Sequence, residues 1–297
     1  MVHTQNCGVV HGVRATVMFA AACAAGTAVA AQPVQVDPVQ LEATIGWDDN
    51  VTRSADAASR LGDRIHTVSV SRHATILLAE HVQGVVDGFL AAEKFARYEG
   101  LDRVSGGATG QLQYRASAAF GAPTFALLAS LQRDQYRSQQ RTGTRFAVGA
   151  TARQSWTDRI DAFAAVGWSR RDAADPVFDQ RERSVRAHVD YSAGKFGTLY
   201  AGAEHSRGDV VTTAHGYEAE YAAGARADAP DAAFGPGYHA YRLDGRSNIW
   251  TVGWGLPLGA KRVLDASWRQ VVSSASIPTE TMRYRSTLYS LSYLQQF

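Results

Sequence analysis

His188 and Asp190 stand two residues apart, so in an extended segment they share one face and the carboxylate can orient the imidazole. A serine from a neighbouring segment, Ser206 or Ser267, would then supply the nucleophile that such a base activates. Ser and His are common residues and pairings of this kind arise by chance, so lipid hydrolysis is the lesser alternative. His205 and His215 lie near the longest loop and could ligate a metal, yet they belong to no ligand spacing. No Gly-rich phosphate loop or zinc pattern occurs either. The 2 cysteines, Cys7 and Cys23, fall in a segment expected to be removed, which leaves no disulfide and no thiolate ligand. No catalytic residue, metal or cofactor is assigned.

The more extensive chemistry is charge on alternate residues. Glu42, Asp48, Arg115, Arg153, Arg186, His188, Asp190, Glu204, Asp265 and Arg269 all take the polar parity of their segments, with both signs interleaved. One reading is an ion-pair lattice bracing the inside of a wall; the other is a charged filter for a small or extended polar solute. Over the whole chain 30 Lys and Arg oppose 28 Asp and Glu, a net charge of +2, so a nucleic-acid partner is not indicated.

These residues need extended segments to hold them, and the sequence supplies such segments in series. Period-two patterns run over 39–53, 64–73, 75–92, 104–120, 124–137, 145–156, from Ile160 to Trp168, from Val185 to Tyr191, 198–208, from Trp250 to Leu256, from Leu264 to Trp268, and through the last stretch to Phe297. Leu112, Tyr114, Ala116, Ala118 and Phe120 oppose Gln111, Gln113, Arg115 and Ser117, for example. The second and third segments, expected to turn near His73 to Thr75, fit more than one register, and a bulge is expected there. Short Pro/Gly/Asp turns alternate with longer polar loops; Arg170 to Arg183 and Asp209 to Tyr238 read as the longest. No sustained amphipathic helix follows residue 31; Val85 to Tyr98 comes nearest. All six tryptophans, Trp47, Trp156, Trp168, Trp250, Trp254 and Trp268, fall on the apolar parity, as an aromatic belt at a lipid interface requires.

Such segments, polar on one face throughout and each able to span lipid, predict an all-β fold: a closed antiparallel transmembrane β-barrel of about twelve strands. An even count puts both ends beside the short periplasmic turns, opposite the longer extracellular loops. A soluble β-sandwich is the competing class. Arg14, the apolar run after it and the small residues Ala28, Val29, Ala30 and Ala31 read as a secretory signal peptide, so residues 1–31 are expected to be removed and 32–297 to form the barrel. A lipidated Cys23 is the alternative.

The final stretch, with Tyr289, Leu291, Tyr293 and Phe297 on one parity, resembles the closing strand of bacterial outer-membrane barrels. That resemblance implies an assembly signal at Tyr293 and Phe297. It also implies the barrel assembly machinery, outer-membrane lipid and lipopolysaccharide as partners, and an integral outer-membrane location. Gly46-Trp47-Asp48-Asp49-Asn50-Val51-Thr52-Arg53 resembles an element of outer-membrane barrels encoded with exopolysaccharide biosynthesis and export, and more loosely the barrel portion of surface-lipoprotein assembly modifiers. The chain is shorter than the first group and shows no helical-repeat domain like the second. The expected function is a narrow channel or accessory conduit for polar solutes, linked to polysaccharide export. The alternatives are a lipid-modifying enzyme and a structural or assembly barrel without transport. Asp48 and Asn50 are expected inward at the outer mouth, anchoring a loop or lining the exit.

Overall fold

The computed structural model describes residues 34–278 and 281–297. The expected signal peptide and both cysteines lie outside the described residues. Strands dominate: β1 (Val34–Val36), β2 (Gln40–Asp48), β3 (Asp63–Ala79), β4 (Val82–Phe95), β5 (Arg103–Arg115), β6 (Thr124–Tyr136), β7 (Gly143–Ser155), β8 (Ile160–Ala173), β9 (Gln180–Ser192) and β10 (Thr198–His215) come first. A short helix α1 (Ala219–Gly224) and β11 (Ala227–Pro230) follow, then β12 (Tyr238–Pro257), β13 (Arg262–Ser276) and β14 (Thr281–Gln296). No helix among the described residues is long and apolar enough to cross a membrane.

Consecutive strands pair antiparallel around a ring from β2 through β10, β12, β13 and β14, and β14 pairs back onto β2, so twelve strands close a barrel. Closure leaves no strand edge whose unpaired backbone groups would each cost several kcal/mol, about the penalty of an unmade hydrogen bond in hydrocarbon. Paired hydroxyls reinforce the seam and the two ladders beside it from inside: Thr44 and Ser292 lie 2.7 Å apart across β2 and β14, Ser267 and Ser290 2.6 Å across β13 and β14, and Ser247 and Ser273 2.6 Å across β12 and β13. β1 continues the line of β2 by pairing with β3.

The period-two pattern decides which way each residue points. On β2, Leu41, Ala43, Ile45 and Trp47 face out while Glu42 and Asp48 are buried inside. The outward face is apolar all round, and Ile45, Leu90, Leu127, Val166, Val185 and Trp250 are each more than half exposed to the surroundings. In water such a belt would be a severe liability; in lipid it is the solvated face.

Several segment boundaries differ from those the sequence suggests: β2 stops at Asp48 instead of running to 53, and β5 stops at Arg115 instead of 120, so that Ala116, Ala118 and Phe120 lie in the turn that leads to β6. The turn near His73 to Thr75 does not exist: β3 runs on to Ala79, and the hairpin turns at Glu80 and His81. Nothing at His73 breaks the ladder. Its ring meets Asp37 at 2.5 Å, and Arg72 donates to the Asp37 carbonyl at 3.0 Å, so both polar side chains are accommodated within a continuing strand. The expected bulge is present, as a register shift between Leu77 and Ala79. The loop from Arg170 to Arg183 shrinks to 174–179, because β8 and β9 stay paired out to Arg171 and Gln180. The longest loop starts after His215 instead of at Asp209, because β10 and β12 remain in register from Thr198 and Gly255 up to His215 and Tyr238. Val210, Ala214, Tyr241 and Leu243 keep alternating inward there and bury one another.

Candidate lumen and its loop-end closure

The inside of the barrel is closed at the loop end by two segments, and Asp48 fixes the first. β2 stops at this residue, whose Oδ1 accepts from the backbone N–H of Asn50 at 2.9 Å. Asn50 turns its own side chain to the carbonyls of Ser54 and Arg285, both at 2.9 Å, while its Oδ1 accepts from the Thr52 hydroxyl and the Ser54 N–H. Arg53 adopts φ 57°, a left-handed conformation uncommon for a side-chain-bearing residue, and this folds its guanidinium back onto Asp48. Nη2 stands 2.8 Å from Asp48 Oδ2, and Nη1 also donates to Ser286 Oγ. Burial opposes the positive charge on Arg53, but the Asp48 carboxylate beside it more than compensates and holds the pKa above its usual value.

From this knot the segment 49–62 crosses to β10. Thr213 N–H donates to the Thr52 carbonyl at 2.9 Å, Thr212 Oγ to the Arg53 carbonyl at 2.7 Å, and His215 N–H to Ser59 Oγ at 3.1 Å. Asp56 caps the turn at Ala57–Ser59, and the hydroxyl of Ser59 with the N–H of Ala58 lowers its pKa.

The second segment, 216–237, comes from between β10 and β12 and reaches the far side. Asp231, fully buried, binds Arg141 at 2.5 Å and Thr213 Oγ at 2.8 Å. Arg141 also lies over the rings of Phe178 and Phe234, at 4.2 and 5.6 Å. Phe234 packs with Phe95, Leu101 and Tyr98, and Val51 and Leu61 of the first segment join the same cluster. Gly100 is demanded here, since a Cβ would come 2.4 Å from the Cα of Ala233.

Beneath the closure lies a cavity of about 340 Å³ lined by Asp48, Arg53, Glu182, Ser206, Arg269 and Ser286. It owes its volume to small inward residues on this flank, Gly208, Gly245 and Ser247 among them. The ten inward charges expected from the sequence do occupy the inner parity, but at different heights. Glu42 is buried low on β2, with the Thr44 hydroxyl at 3.4 Å. Arg186 sits directly opposite Glu204 across β9 and β10, and Asp265 accepts from Tyr200 at 2.9 Å. Arg153 meets Asp161 at 3.6 Å near the short turns, where Arg115 is also exposed.

His188 binds Asp190 at 2.8 Å, but the anticipated serines do not join them. His188 is level with Gly202, which puts Ser206 four residues further along β10, about 13 Å at strand rise. Ser267 lies nearer the short turns and is bonded to Ser290. His205 points out of the barrel onto Asn248 at 2.8 Å, and His215 packs edge-on against Tyr238. Among the described residues no group of metal-ligating side chains converges. The sequence pattern did not single out Arg103, which meets Glu93 at 3.1 Å, or Arg171, which donates to the Arg141 carbonyl. Their inward parity was the available signal, and it runs into stretches that read as loops.

Of the tryptophans, Trp47, Trp156, Trp250 and Trp254 are more than 40% exposed and Trp168 is 36% exposed, all on the outer side. Trp268 shares that face but is less exposed, and stands opposite Val252 and Tyr289 in its two ladders. Trp156 lies just past the end of β7, in a turn. Phe297 donates its N–H to the Val39 carbonyl at 3.0 Å, beside the seam.

An apolar outer face on a closed twelve-stranded ring with a polar bore defines the fold of an outer-membrane β-barrel. Among solved structures, an outer-membrane channel from Pseudomonas putida F1 is similar at a TM-score of 0.53 and 9% identity, covering 92% of this chain and 100% of that one. The KdgM porin gives a TM-score of 0.40 at 10% identity over 87% and 99% of the two chains. An anion-selective porin from Comamonas acidovorans gives 0.40 at 10% over 89% and 100%. These last two are too distant to carry an argument. No protein-family model and no curated protein sequence matches the chain.

Proposed function

We propose that this protein is an integral outer-membrane channel for small polar solutes whose outer mouth is shut by segments 49–62 and 216–237. The reading rests on one observation above the rest: a bore lined with Ser, Thr, Gln and paired charges is blocked at one end by folded loops tied down at Asp48 and Asp231. A wall braced only for strength needs no polar cavity beneath a lid. The loops face outward from the cell, since an even strand number puts both ends of the ring with the short turns.

The element resembling exopolysaccharide barrels, Trp47 to Arg53, is occupied here with anchoring the first segment. That duty says nothing of the solute, so the proposal does not extend to polysaccharide. Planar-bilayer recording tests the reading. The intact protein should conduct rarely and weakly, and replacing 51–60 with a short Gly-Ser linker should open it to steady current. Silence from both, with the barrel demonstrably inserted, would remove the channel from consideration.

A further inference from the structure

Toward the loop end the outward parity changes character. Up β9 it reads Tyr191, Val189, Ala187, Val185 and then Arg183; up β10, Leu199, Ala201, Ala203, His205 and then Arg207; up β12, Trp254, Val252, Trp250, Asn248 and then Arg246. The ladders set Arg183 directly opposite Arg207, and Arg207 directly opposite Arg246. Three exposed arginines therefore form one row across three neighbouring strands, immediately above the apolar belt.

Directly opposed like charges destabilise a sheet, and no carboxylate among the described residues pairs with them. Arg183 and Arg207 make no ion pair among the described residues, and Arg246 reaches only the Ser274 hydroxyl at 3.2 Å. The nearest outward carboxylates, Asp209 and Asp244, are already held by Arg226 at 2.8 and 3.2 Å. Arg170 and Arg181 face each other on the next strand pair, with Asp172 taking only Arg170.

We infer that this row is a docking site for the phosphates of a phosphorylated glycolipid in the outer leaflet. The charge has the right sign, and planar guanidinium forks bind phosphate oxygens in pairs. The height is right as well. Acyl chains lying along Val185, Ala187, Ala203 and Trp250 would bring a headgroup level with the arginines. The inference rests on the outer-membrane reading but does not depend on transport.

The test uses the whole protein folded in neutral detergent, with heat-modifiable migration confirming the barrel first. Purified diphosphoryl lipid A, its dephosphorylated form and inorganic phosphate are titrated against it, and bound lipid is read by native mass spectrometry and melting temperature. Arg183→Gln/Arg207→Gln/Arg246→Gln is compared with Arg262→Gln, an arginine at the opposite end. The triple variant should melt higher than the parent in detergent alone, because repulsion is relieved, yet bind diphosphoryl lipid A about tenfold more weakly. The control should do neither. Equal lipid A binding by the triple variant overturns the site, as does equal binding of the dephosphorylated lipid. Full competition by inorganic phosphate makes it a free-anion site and overturns the lipid assignment. A chain that forms no heat-modifiable barrel instead overturns the membrane reading itself.

Discussion

Asp48 Oδ2 lies 2.8 Å from Arg53 Nη2, joining the last residue of a wall strand to a residue inside the mouth. The carboxylate is almost fully buried and the guanidinium about one-third exposed. Breaking the pair therefore strands a buried charge while the freed partner is partly hydrated.

Asp48→Asn should cost about 2 kcal/mol, below the range for a wholly buried pair because Arg53 is partly screened. Hydrogen exchange of 50–60 should speed up while the strand ladders stay protected. Uniform loss of protection across the barrel would show that the knot holds the wall and not just the loop.

The second segment should respond to Asp231 in the same way. Asp231→Ala leaves Arg141 without its carboxylate in a site where the guanidinium is 16% exposed, at a cost of about 3 kcal/mol. Trypsin should then cut at Arg226, and channel openings should lengthen. An unchanged digestion pattern would mean that the Phe234 cluster alone keeps the segment in place.

Gly100→Ala tests the closure by steric means. A methyl placed 2.4 Å from the Ala233 Cα must push backbone, an overpacking cost of about 1–3 kcal/mol. The expected signature is a lower melting temperature with Tyr98 and Phe234 more accessible to solvent quenchers. A melting point equal to the parent's would place the loop elsewhere in solution.

Asp56 gives a pH dependence of known sign. Its folded pKa lies below the ordinary carboxylate value, so its capping contribution is present above that value and fades as pH falls through the folded pKa. Protection of 57–60 against exchange should decline only at acid pH, and Asp56→Ala should abolish that dependence.

Arg115 and Arg153 stand at the turn end of the bore. Replacing both with Glu reverses two charges in the path, so the reversal potential in a salt gradient should shift toward cation preference. No shift in a conducting variant would put the path away from that wall.

Much of the fold was legible because alternation is a direct readout of which side each residue faces. Strand number and the outward tryptophans followed from it. Height was not legible. Parity says that His188 and Ser206 share the bore, but only register reveals that they sit at different levels. The β3–β4 turn escaped because no Gly or Pro marks Glu80 and His81, whereas the Asp48 anchor could be anticipated from Asp and Asn spaced to satisfy a turn. The upper ends of β10 and β12 were read as polar coil because charged residues such as Asp209, Arg242 and Asp244 punctuate them, although the inward Val210, Ala214, Tyr241 and Leu243 continue an apolar pattern.

The ring is far from level at its upper edge. β2 has 9 residues, whereas β12 has 20 and stays hydrogen-bonded to β10 along the whole length of that partner. From the medium, the molecule therefore rises as a tall ribbon on one flank beside a notch on another. Anything that approaches from the loop end meets the β10–β12 ribbon before it reaches the rim at β2, so the stretch between Val210 and Leu243 is the first point of contact from that side.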